Sequence, residues 1–287
     1  MISAILSYFM NRERLTITLA DAILRKIDSI IDNQTIRNRS HAIEYALGRF
    51  FLPRATKVVV LAGGAGVHMR PLTYEMPKAL VPVHGEPLLG HTVRALEAAG
   101  LEDMTMVIGT LGKKIREHFG DGAPYSVQTA YVEDKKENGT AQALAAVRGK
   151  VGAEPFLLVY GDVLADIDWM DFIHFHHAHG GLATMAVTNV REPKTWGVVA
   201  MDGTRVTRFV EKPNGGATKS HLINAGLYVM HPDVLAMITP RMRSLEEELF
   251  PTLAAKGELH GYHFSGKWFD VSTPAVYERA LKEWRAR

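Results

Sequence analysis

A glycine-rich turn at residues 63–66, Gly-Gly-Ala-Gly, is the part of this sequence best suited to binding an anion. Glycine permits a positive φ and lets a ligand approach the backbone, and successive exposed N–H groups in such a turn form a nest for phosphate oxygens. Arg70 and Lys78 follow, and Pro77 stiffens the approach to Lys78. The turn and the two cations together predict a phosphate-binding site.

The spacing around this turn differs from that of two common nucleotide-binding motifs. A P-loop requires a Lys-Ser or Lys-Thr pair that closes the turn, and no such pair follows residues 63–66. A dinucleotide fingerprint requires a third glycine, and Met69 stands at that position. The predicted phosphate site therefore belongs to neither class.

A carboxylate follows a second buried strand. The apolar run at residues 156–160 ends in Gly161 and Asp162. Side chains just beyond the carboxyl end of such a strand lie beside the ligand crevice of an open α/β sheet. Because Mg²⁺ prefers one or two carboxylates together with substrate phosphates, Asp162 is predicted to place Mg²⁺ between phosphate oxygens. An ordinary turn is the alternative interpretation of an isolated Gly-Asp pair.

The elements that position these residues alternate between strand and helix. The β-branched run at residues 58–61 is typical of a strand that is buried on both faces. Further patterns predict strands over 104–108 and 127–132 and helices over 91–99 and 113–119. This alternation predicts an α/β fold with an open sheet whose ligands bind outside the carboxyl ends of the strands.

Several segments resemble, in the same order, the signature of the sugar-phosphate nucleotidyltransferase family. Residues 63–83 contain Gly-Gly-x-Gly, Pro-Leu-Thr and Pro-Lys-Ala-Leu-Val-Pro-Val, and the later segments are Gly-Thr-Ala at 139–141, Gly-Val-Val at 197–199, Glu-Lys-Pro at 211–213, Asn-Ala-Gly at 224–226 and Trp-Phe-Asp-Val-Ser-Thr-Pro at 268–274. The resemblance covers residues 57–277. It implies a Rossmann-like open mixed sheet and an Mg²⁺-dependent enzyme that forms an NDP-sugar and pyrophosphate from an NTP and a sugar 1-phosphate.

The resemblance also implies roles for individual residues. Asp162 and Asp270 would hold Mg²⁺, and Lys78 would hold the triphosphate. The implied nucleotide-binding residues are Leu61, Ala62, Gly63, Gly64, Gly66, Gly139 and Thr140. The implied sugar-phosphate-binding residues are Gly197, Glu211, Lys212 and Asn224. The order of these segments looks most like guanylyl- or uridylyl/thymidylyltransferases that act on hexose 1-phosphates, with mannose slightly ahead.

One position departs from the family pattern. The family has Thr-Arg after the last glycine, and this chain has Val67 and His68. Histidine offers fewer donors than arginine and is largely neutral at pH 7 unless its pKa is raised. Arg70 could replace the missing arginine if the loop directs it to the same side. The predicted catalytic residues are therefore Lys78, Asp162, Asp270, His68 and Arg70.

The first 53 residues predict a separate small module. Residues 14–19 alternate like a half-buried strand, residues 21–31 have helical spacing, and Ser40 is a suitable N-cap for a second helix. This order, with Arg-x-Arg-Ser before the second helix, resembles the ribbon-helix-helix DNA-binding family, whose paired strands enter the major groove. The resemblance implies that Arg14, Thr16 and Thr18 face bases and that the N–H groups near Ser40 hold a phosphate.

Size and composition set the remaining expectations. A module of this size generally cannot bury a core alone, so we expect a homodimer or a higher homo-oligomer, and dimerisation without DNA binding is the simpler alternative. The domains are predicted at 1–53 and 57–287.

The net charge of +2 gives no global field for nucleic acid, and the absence of cysteine fits a reducing compartment. With no apolar run of eighteen residues, the protein is predicted to be cytoplasmic, with no membrane partner. Four histidines at 174, 176, 177 and 179 are predicted on a solvated helix face.

Two functional hypotheses from different classes follow. The first is a dimeric sugar-1-phosphate nucleotidyltransferase, because both predicted metal carboxylates and both lysines are present. The second is a DNA-binding transcriptional regulator whose large domain senses a nucleotide or nucleotide sugar with little or no turnover. The residues Val67 and His68, together with the N-terminal module, motivate the second hypothesis.

Overall fold

The computed structural model describes residues 15–31, 36–51, 57–134, 138–213 and 220–285. The chain divides into two units, Met1–Pro53 and Arg54–Arg287. The strands of the second unit are β1 (Val58–Ala62), β2 (Pro82–Val83), β3 (Glu86–Pro87), β4 (Asp103–Ile108), β5 (Gln128–Glu133), β6 (Phe156–Tyr160), β7 (Val163–Ala165), β8 (Ala183–Asn189), β9 (Val198–Asp202), β10 (Arg205–Val210), β11 (Leu222–Met230), β12 (Leu259–His263) and β13 (Trp268–Asp270).

A nine-stranded mixed sheet forms the centre of this unit, with the order β5-β4-β1-β6-β11-β8-β12-β10-β9. The strands from β5 to β6 are parallel, β11 runs antiparallel to β6 and to β8, and β12 is parallel to β8. A two-stranded ladder of β7 and β13 stands apart from the large sheet. The mixed sheet confirms the predicted α/β class.

Helices of the second unit cover its sheet on both faces. Two helices, α1 (Asp21–Ser29) and α2 (Arg39–Phe51), belong to the first unit. The helices of the second unit are α3 (Leu88–Ala98), α4 (Gly112–Phe119), α5 (Thr140–Ala145), α6 (Trp169–His179), α7 (Val234–Met237), α8 (Phe250–Lys256) and α9 (Pro274–Glu283), with a π-helical turn at Leu245–Leu249. Within the described ranges, every helix is too short or too polar to cross a bilayer.

The β-branched run in β1 is explained by two apolar cores, one on each face of the sheet. Val58 and Val60 belong to the first core and Val59 belongs to the second, because successive side chains of a strand point to opposite faces. All three side chains are buried. The strand that leads into the glycine turn is therefore fixed from both sides.

A third apolar cluster attaches the C-terminal helix to the signature segment. Met69, Val81 and Val83 pack with Phe269 of β13 and with Trp284, which follows α9. The Tyr277 hydroxyl also donates a hydrogen bond to the carbonyl of Pro82 at 2.7 Å. The two ends of the second unit, which carry the glycine turn and Asp270, are thereby packed together.

In the first unit, α1 and α2 pack around a small core of Ile27, Ile36 and Ala42. Residues 15–20 carry no strand in the single chain, where a ribbon strand has no second copy to pair with. Leu15 and Ile17 are 79% and 50% exposed, whereas Leu19 packs on the small core. The ribbon therefore stays a prediction.

The ends of these two helices differ from the sequence prediction. The first helix ends at Ser29 rather than Ile31. Ser40 lies inside α2, and the Asn38 side chain accepts the hydrogen bond from the His41 N–H at 2.9 Å, so Asn38 is the cap. Asparagine two residues earlier fills the capping position as well as serine does. Arg14 lies outside the described residues.

Candidate active site

The glycine turn and Asp162 lie side by side because their strands are neighbours. Strands β1 and β6 are parallel, so their carboxyl ends meet at one edge of the sheet. The Gly161 N–H donates to the Leu61 carbonyl at 3.0 Å, which holds the start of one loop against the other. A Cβ on Gly161 would lie 3.2 Å from the Cβ of Ala62, so the close approach needs a residue without a large side chain.

The glycine turn is held from within and open on its outer face. Gly66 has a φ of 60°, and its carbonyl accepts a hydrogen bond from the Thr73 hydroxyl at 2.6 Å. A Cβ on Gly63 would lie 3.2 Å from the nitrogen of Gly109, whereas nothing lies within 4 Å of the corresponding position at Gly64. Space for a ligand therefore borders the backbone at Gly64.

Lys78 and two carboxylates converge beside this turn. The Lys78 ammonium forms an ion pair with Asp162, and only 17% and 21% of the two side chains are exposed. Burial alone lowers the pKa of Lys78, but the negative charge of Asp162, the hydrogen bond with it and the charge of Asp270 together outweigh burial and raise that pKa. Lys78 is therefore positively charged at neutral pH, with its ammonium held at Asp162 beside the glycine turn.

Asp270 reaches the same place through the small β7–β13 ladder. The ladder pairs Asp270 with Val163, and the Val271 N–H donates to the Asp162 carbonyl at 3.0 Å. Burial raises the pKa of the Asp270 carboxyl, and the charge of Asp162 raises it further. The Ser272 hydroxyl and the Trp196 indole N–H donate to the two oxygens of this carboxylate, and both oppose the rise.

The donor set suits Mg²⁺. Asp162 and Asp270 supply two mutually repelling carboxylates at the edge of the phosphate site, and a divalent cation would relieve that repulsion. In the part of the chain that the structure describes, no group of three or more His, Cys, Asp or Glu side chains could hold a metal. Two carboxylates that leave the other positions to substrate phosphates are the arrangement that Mg²⁺ favours.

One cavity of about 310 Å³ brings together the four residues predicted to bind the sugar phosphate. The Asn224 N–H donates to the Gly197 carbonyl at 2.9 Å, and the Lys212 N–H donates to the Trp196 carbonyl at 3.2 Å. A Cβ on Gly197 would clash with the Phe209 ring and lie 2.9 Å from a carboxylate oxygen of Glu211, which explains the glycine. Burial raises the pKa of Glu211, and the charge of nearby Glu246 raises it further.

A second cavity of about 220 Å³ contains most of the predicted nucleotide-binding residues. Its wall includes Leu61, Gly63, Gly64, Gly139 and Thr140. Gly139 has a φ of 89°, and a Cβ there would lie 2.1 Å from the Arg243 carbonyl oxygen, so this position requires glycine. The two cavities share Thr140, Tyr160 and Asp162 as a common wall.

His68 and Arg70 lie away from these two cavities. His68 is an exposed residue of a short 3₁₀ turn, Val67–Met69, and lines neither cavity. The Arg70 guanidinium lies 5.2 Å from the centre of the Tyr74 ring. Arg70 and Ala62 instead line a third cavity, of about 200 Å³, on the side of the glycine turn toward Gly109. Neither side chain lines a cavity that contains Asp162.

Sequence reasoning missed Glu246, which interacts with the wall between the cavities. Glu246 lies in the π-helical turn Leu245–Leu249 and accepts hydrogen bonds from Tyr160, from Thr140 at 2.8 Å and from Ser244 at 3.0 Å. The sequence pattern predicts an ordinary helix over residues 246–255. Three consecutive glutamates there resemble a solvated surface, so no pattern separates Glu246 from its neighbours.

The prediction of a solvated histidine face is wrong for His176. This side chain is only 3% exposed, and its Nδ1 lies 2.9 Å from the Thr184 hydroxyl. Burial, followed by the charges of His177, His231 and His260, lowers the pKa of His176 to about 3. Phe172 precedes His176 by one helical turn and is fully buried. The four-residue spacing between them is the sequence signal that places His176 on the apolar face of the helix.

The comparisons with known proteins agree with this geometry. The sequence profile described as Nucleotidyl transferase matches residues 57–286. The mannose-1-phosphate guanylyltransferase catalytic subunit beta of Danio rerio is 36% identical over 223 residues, covering 76% of this chain and 61% of that protein. A mannose-1-phosphate guanyltransferase of Schizosaccharomyces pombe is 35% identical over 227 residues, covering 77% of this chain and 62% of its own length.

A solved structure supports the same fold. A UDP-glucose pyrophosphorylase complexed with UDP-glucose superposes with a TM-score of 0.70 at 23% identity, covering 80% of this chain and 98% of that one. The chain spans about three-fifths of the length of the two curated relatives. The profile match extends over most of the sequence. On this basis the chain belongs to the Nucleotidyl transferase family.

Proposed function

We propose that this protein transfers a nucleotidyl group from an NTP to a sugar 1-phosphate, with release of pyrophosphate. The observation that carries the proposal is the pair of adjoining cavities that share Asp162, with Lys78 and Asp270 beside it. One cavity adjoins the glycine turn, and the other holds Glu211 and Asn224, which suit a hydroxyl-rich ligand. Two ligands bound in these cavities would meet at Asp162.

The reaction needs positioning and charge neutralisation more than covalent help. A phosphate oxygen of the sugar 1-phosphate attacks the α-phosphorus, a new P–O bond forms, and the bond to the bridging oxygen of pyrophosphate breaks. The electron pair of that bond leaves with pyrophosphate. Lys78 and the backbone at Gly64 stabilise the phosphates, while Lys212 orients the attacking group. When bound, Mg²⁺ would neutralise charge on the phosphates, and Asp162 and Asp270 would hold it.

The names of the relatives favour GTP and mannose 1-phosphate as the substrate pair. Both curated relatives described above are named as mannose-1-phosphate guanylyl- or guanyltransferases. Because the chain spans only part of their length, the substrates must be tested directly. We expect the highest rate of pyrophosphate release with this pair in a panel of NTPs and hexose 1-phosphates. Turnover no greater than that of D162N with every pair would refute the proposal.

We propose further that the N-terminal unit pairs with that of a second copy. The exposed, alternating Leu15 and Ile17 support this, because pairing would bury them. Mass measurement by light scattering is expected to give at least a dimer for the full chain and a smaller mass for L15D. Equal masses would refute pairing through this segment.

DNA tethering by Arg14, Thr16, Thr18 and Ser40 is a separate proposal, supported by the resemblance of the module. Binding to duplex DNA should weaken steeply as salt increases. The sensor hypothesis requires ligand-dependent DNA binding without turnover. Turnover by the full chain well above that of D162N would exclude a sensor that lacks activity.

A further inference from the structure

Glu246 presents a carboxylate to the sugar cavity while it holds the wall that this cavity shares with the nucleotide cavity. Its side chain lines the cavity of about 310 Å³. One carboxylate oxygen accepts a hydrogen bond from the Tyr160 hydroxyl, and the other accepts from Thr140 at 2.8 Å and Ser244 at 3.0 Å. The carboxylate is therefore fixed in place before any ligand arrives.

The acceptor capacity of Glu246 is not exhausted by these three donors. An ionised carboxylate has about four lone-pair sites, two on each oxygen. The oxygen that binds Thr140 and Ser244 is fully used, whereas the oxygen that binds Tyr160 retains one site. A ligand hydroxyl in the cavity can donate to that site without displacing a protein group.

The residues around Glu246 determine which hydrogen-bond acceptors a ligand meets in this cavity. The negative charge of Glu246 disfavours ionisation of Glu211 and so adds to the effect of burial in raising the pKa of Glu211. Asn224 is 8% exposed, and its Nδ2 donates to the Tyr228 hydroxyl at 2.7 Å, while its Oδ1 accepts from the Gly226 N–H at 3.0 Å. Asn224 is thus already paired, whereas Glu246 is held in place by three hydroxyls and keeps one acceptor site.

We propose that Glu246 accepts a hydrogen bond from one ring hydroxyl of the sugar 1-phosphate and is a specificity-determining residue of this enzyme. The inference rests on the proposed nucleotidyl transfer and deepens it. A sugar that lacks the hydroxyl leaves a preorganised acceptor unpaired, and sites built to bind a hydroxyl discriminate strongly against analogues that lack it.

The decisive experiment measures coupling between Glu246 and each hydroxyl of the preferred sugar. We would determine kcat/KM for that sugar 1-phosphate and for its single-deoxy analogues, with the wild-type protein and with E246Q. In E246Q the amide NH2 can turn toward the Thr140 and Ser244 hydroxyls, but the acceptor left for the sugar is neutral, so its hydrogen bond loses the assistance of the charge and is weaker. Thermal unfolding of both proteins verifies that E246Q is folded.

One deoxy analogue is expected to lose about 10- to 100-fold in kcat/KM with the wild-type protein and much less with E246Q. The other analogues should show equal losses in both proteins. A role confined to holding Tyr160 and Thr140 would lower every rate by the same factor. Additive losses for all analogues would therefore overturn the proposal.

E247Q is the comparison variant, since Glu247 is exposed, lines the same cavity and loses the same charge in the substitution. Coupling of a hydroxyl with E247Q in place of E246Q would assign that hydroxyl to Glu247 and overturn the proposal. Absence of turnover with every NTP and sugar 1-phosphate would refute the proposed function itself, and this inference with it. Normal turnover with no coupled hydroxyl would refute only the role of Glu246.

Discussion

The two cavities that meet at Asp162 are lined by different kinds of chemical group. The nucleotide side consists largely of backbone and small or apolar residues such as Gly64, Gly139 and Leu61. The sugar side consists of charged and polar side chains, among them Glu211, Asn224 and Glu246. A wall of backbone is sensitive to added volume, whereas a wall of carboxylates is sensitive to protonation and to the hydroxyl pattern of the ligand.

The residues between the cavities should matter most, because they serve both ligands. We expect D162N to lower kcat by about 10²–10³, since it removes the partner of Lys78 and one of the two carboxylates beside the phosphates. Steady-state pyrophosphate release measures this effect. D202N is the control, because Asp202 is an exposed residue at the end of β9. Comparable losses of kcat in D162N and D202N would contradict the proposed role of Asp162 between the two cavities.

The nucleotide wall should respond to a single methyl group. In G139A the new Cβ would clash with the Arg243 carbonyl, 2.1 Å away, so the loop that carries Thr140 must move. We expect the KM for the NTP to rise by about tenfold or more, because a displacement near 1 Å is costly at a positioned site. The KM for the sugar 1-phosphate should change less.

G149A separates this clash from backbone strain. Gly149 also has a positive φ of 78°, but nothing lies within 4 Å of its Cβ position. G149A should cost about 1–2 kcal/mol of stability and leave both KM values unchanged. An NTP KM that rises equally in G139A and G149A would show that backbone strain, rather than the clash with the Arg243 carbonyl, causes the rise.

The sugar wall should respond to pH. Burial and the charge of Glu246 both raise the pKa of Glu211, so this carboxyl binds a proton at a higher pH than an ordinary glutamate. As the pH falls through that pKa, the charged acceptor is lost. The KM for the sugar 1-phosphate should then rise by up to about tenfold per pH unit, earlier than the KM for the NTP.

E246Q provides the control for this pH dependence. Removing the charge of Glu246 lowers the pKa of Glu211, so the rise in KM should move to lower pH. Titration of the sugar phosphate itself is the same for both proteins and cancels in the comparison. An unshifted profile would mean that Glu211 is not the titrating group.

The two walls also differ in how far the sequence could predict them. The apolar runs predicted that Gly63 and Asp162 each follow the carboxyl end of a strand, and the pairing of β1 with β6 brings the two residues to one edge of the sheet. Asp270 arrives through the separate β7–β13 ladder, and only the family resemblance indicated it. Glu246 depends on a π-helical turn that widens the backbone locally, which periodicity does not reveal.

The smallest expected effect concerns His68, where this chain departs from the family pattern. His68 is exposed and lies outside both cavities, so H68R adds a cation where it can only weakly stabilise charge near Asp162. We expect kcat to change by less than about threefold, because an exposed charge in water contributes little. Pyrophosphate release at saturating substrates tests this directly, and R70A is the informative companion, since Arg70 lines the cavity beside the glycine turn. A tenfold or larger gain of kcat in H68R would mean that residues 67–69 move toward the phosphates during turnover. These residues would then form a third wall of the site, in addition to the walls of the two cavities.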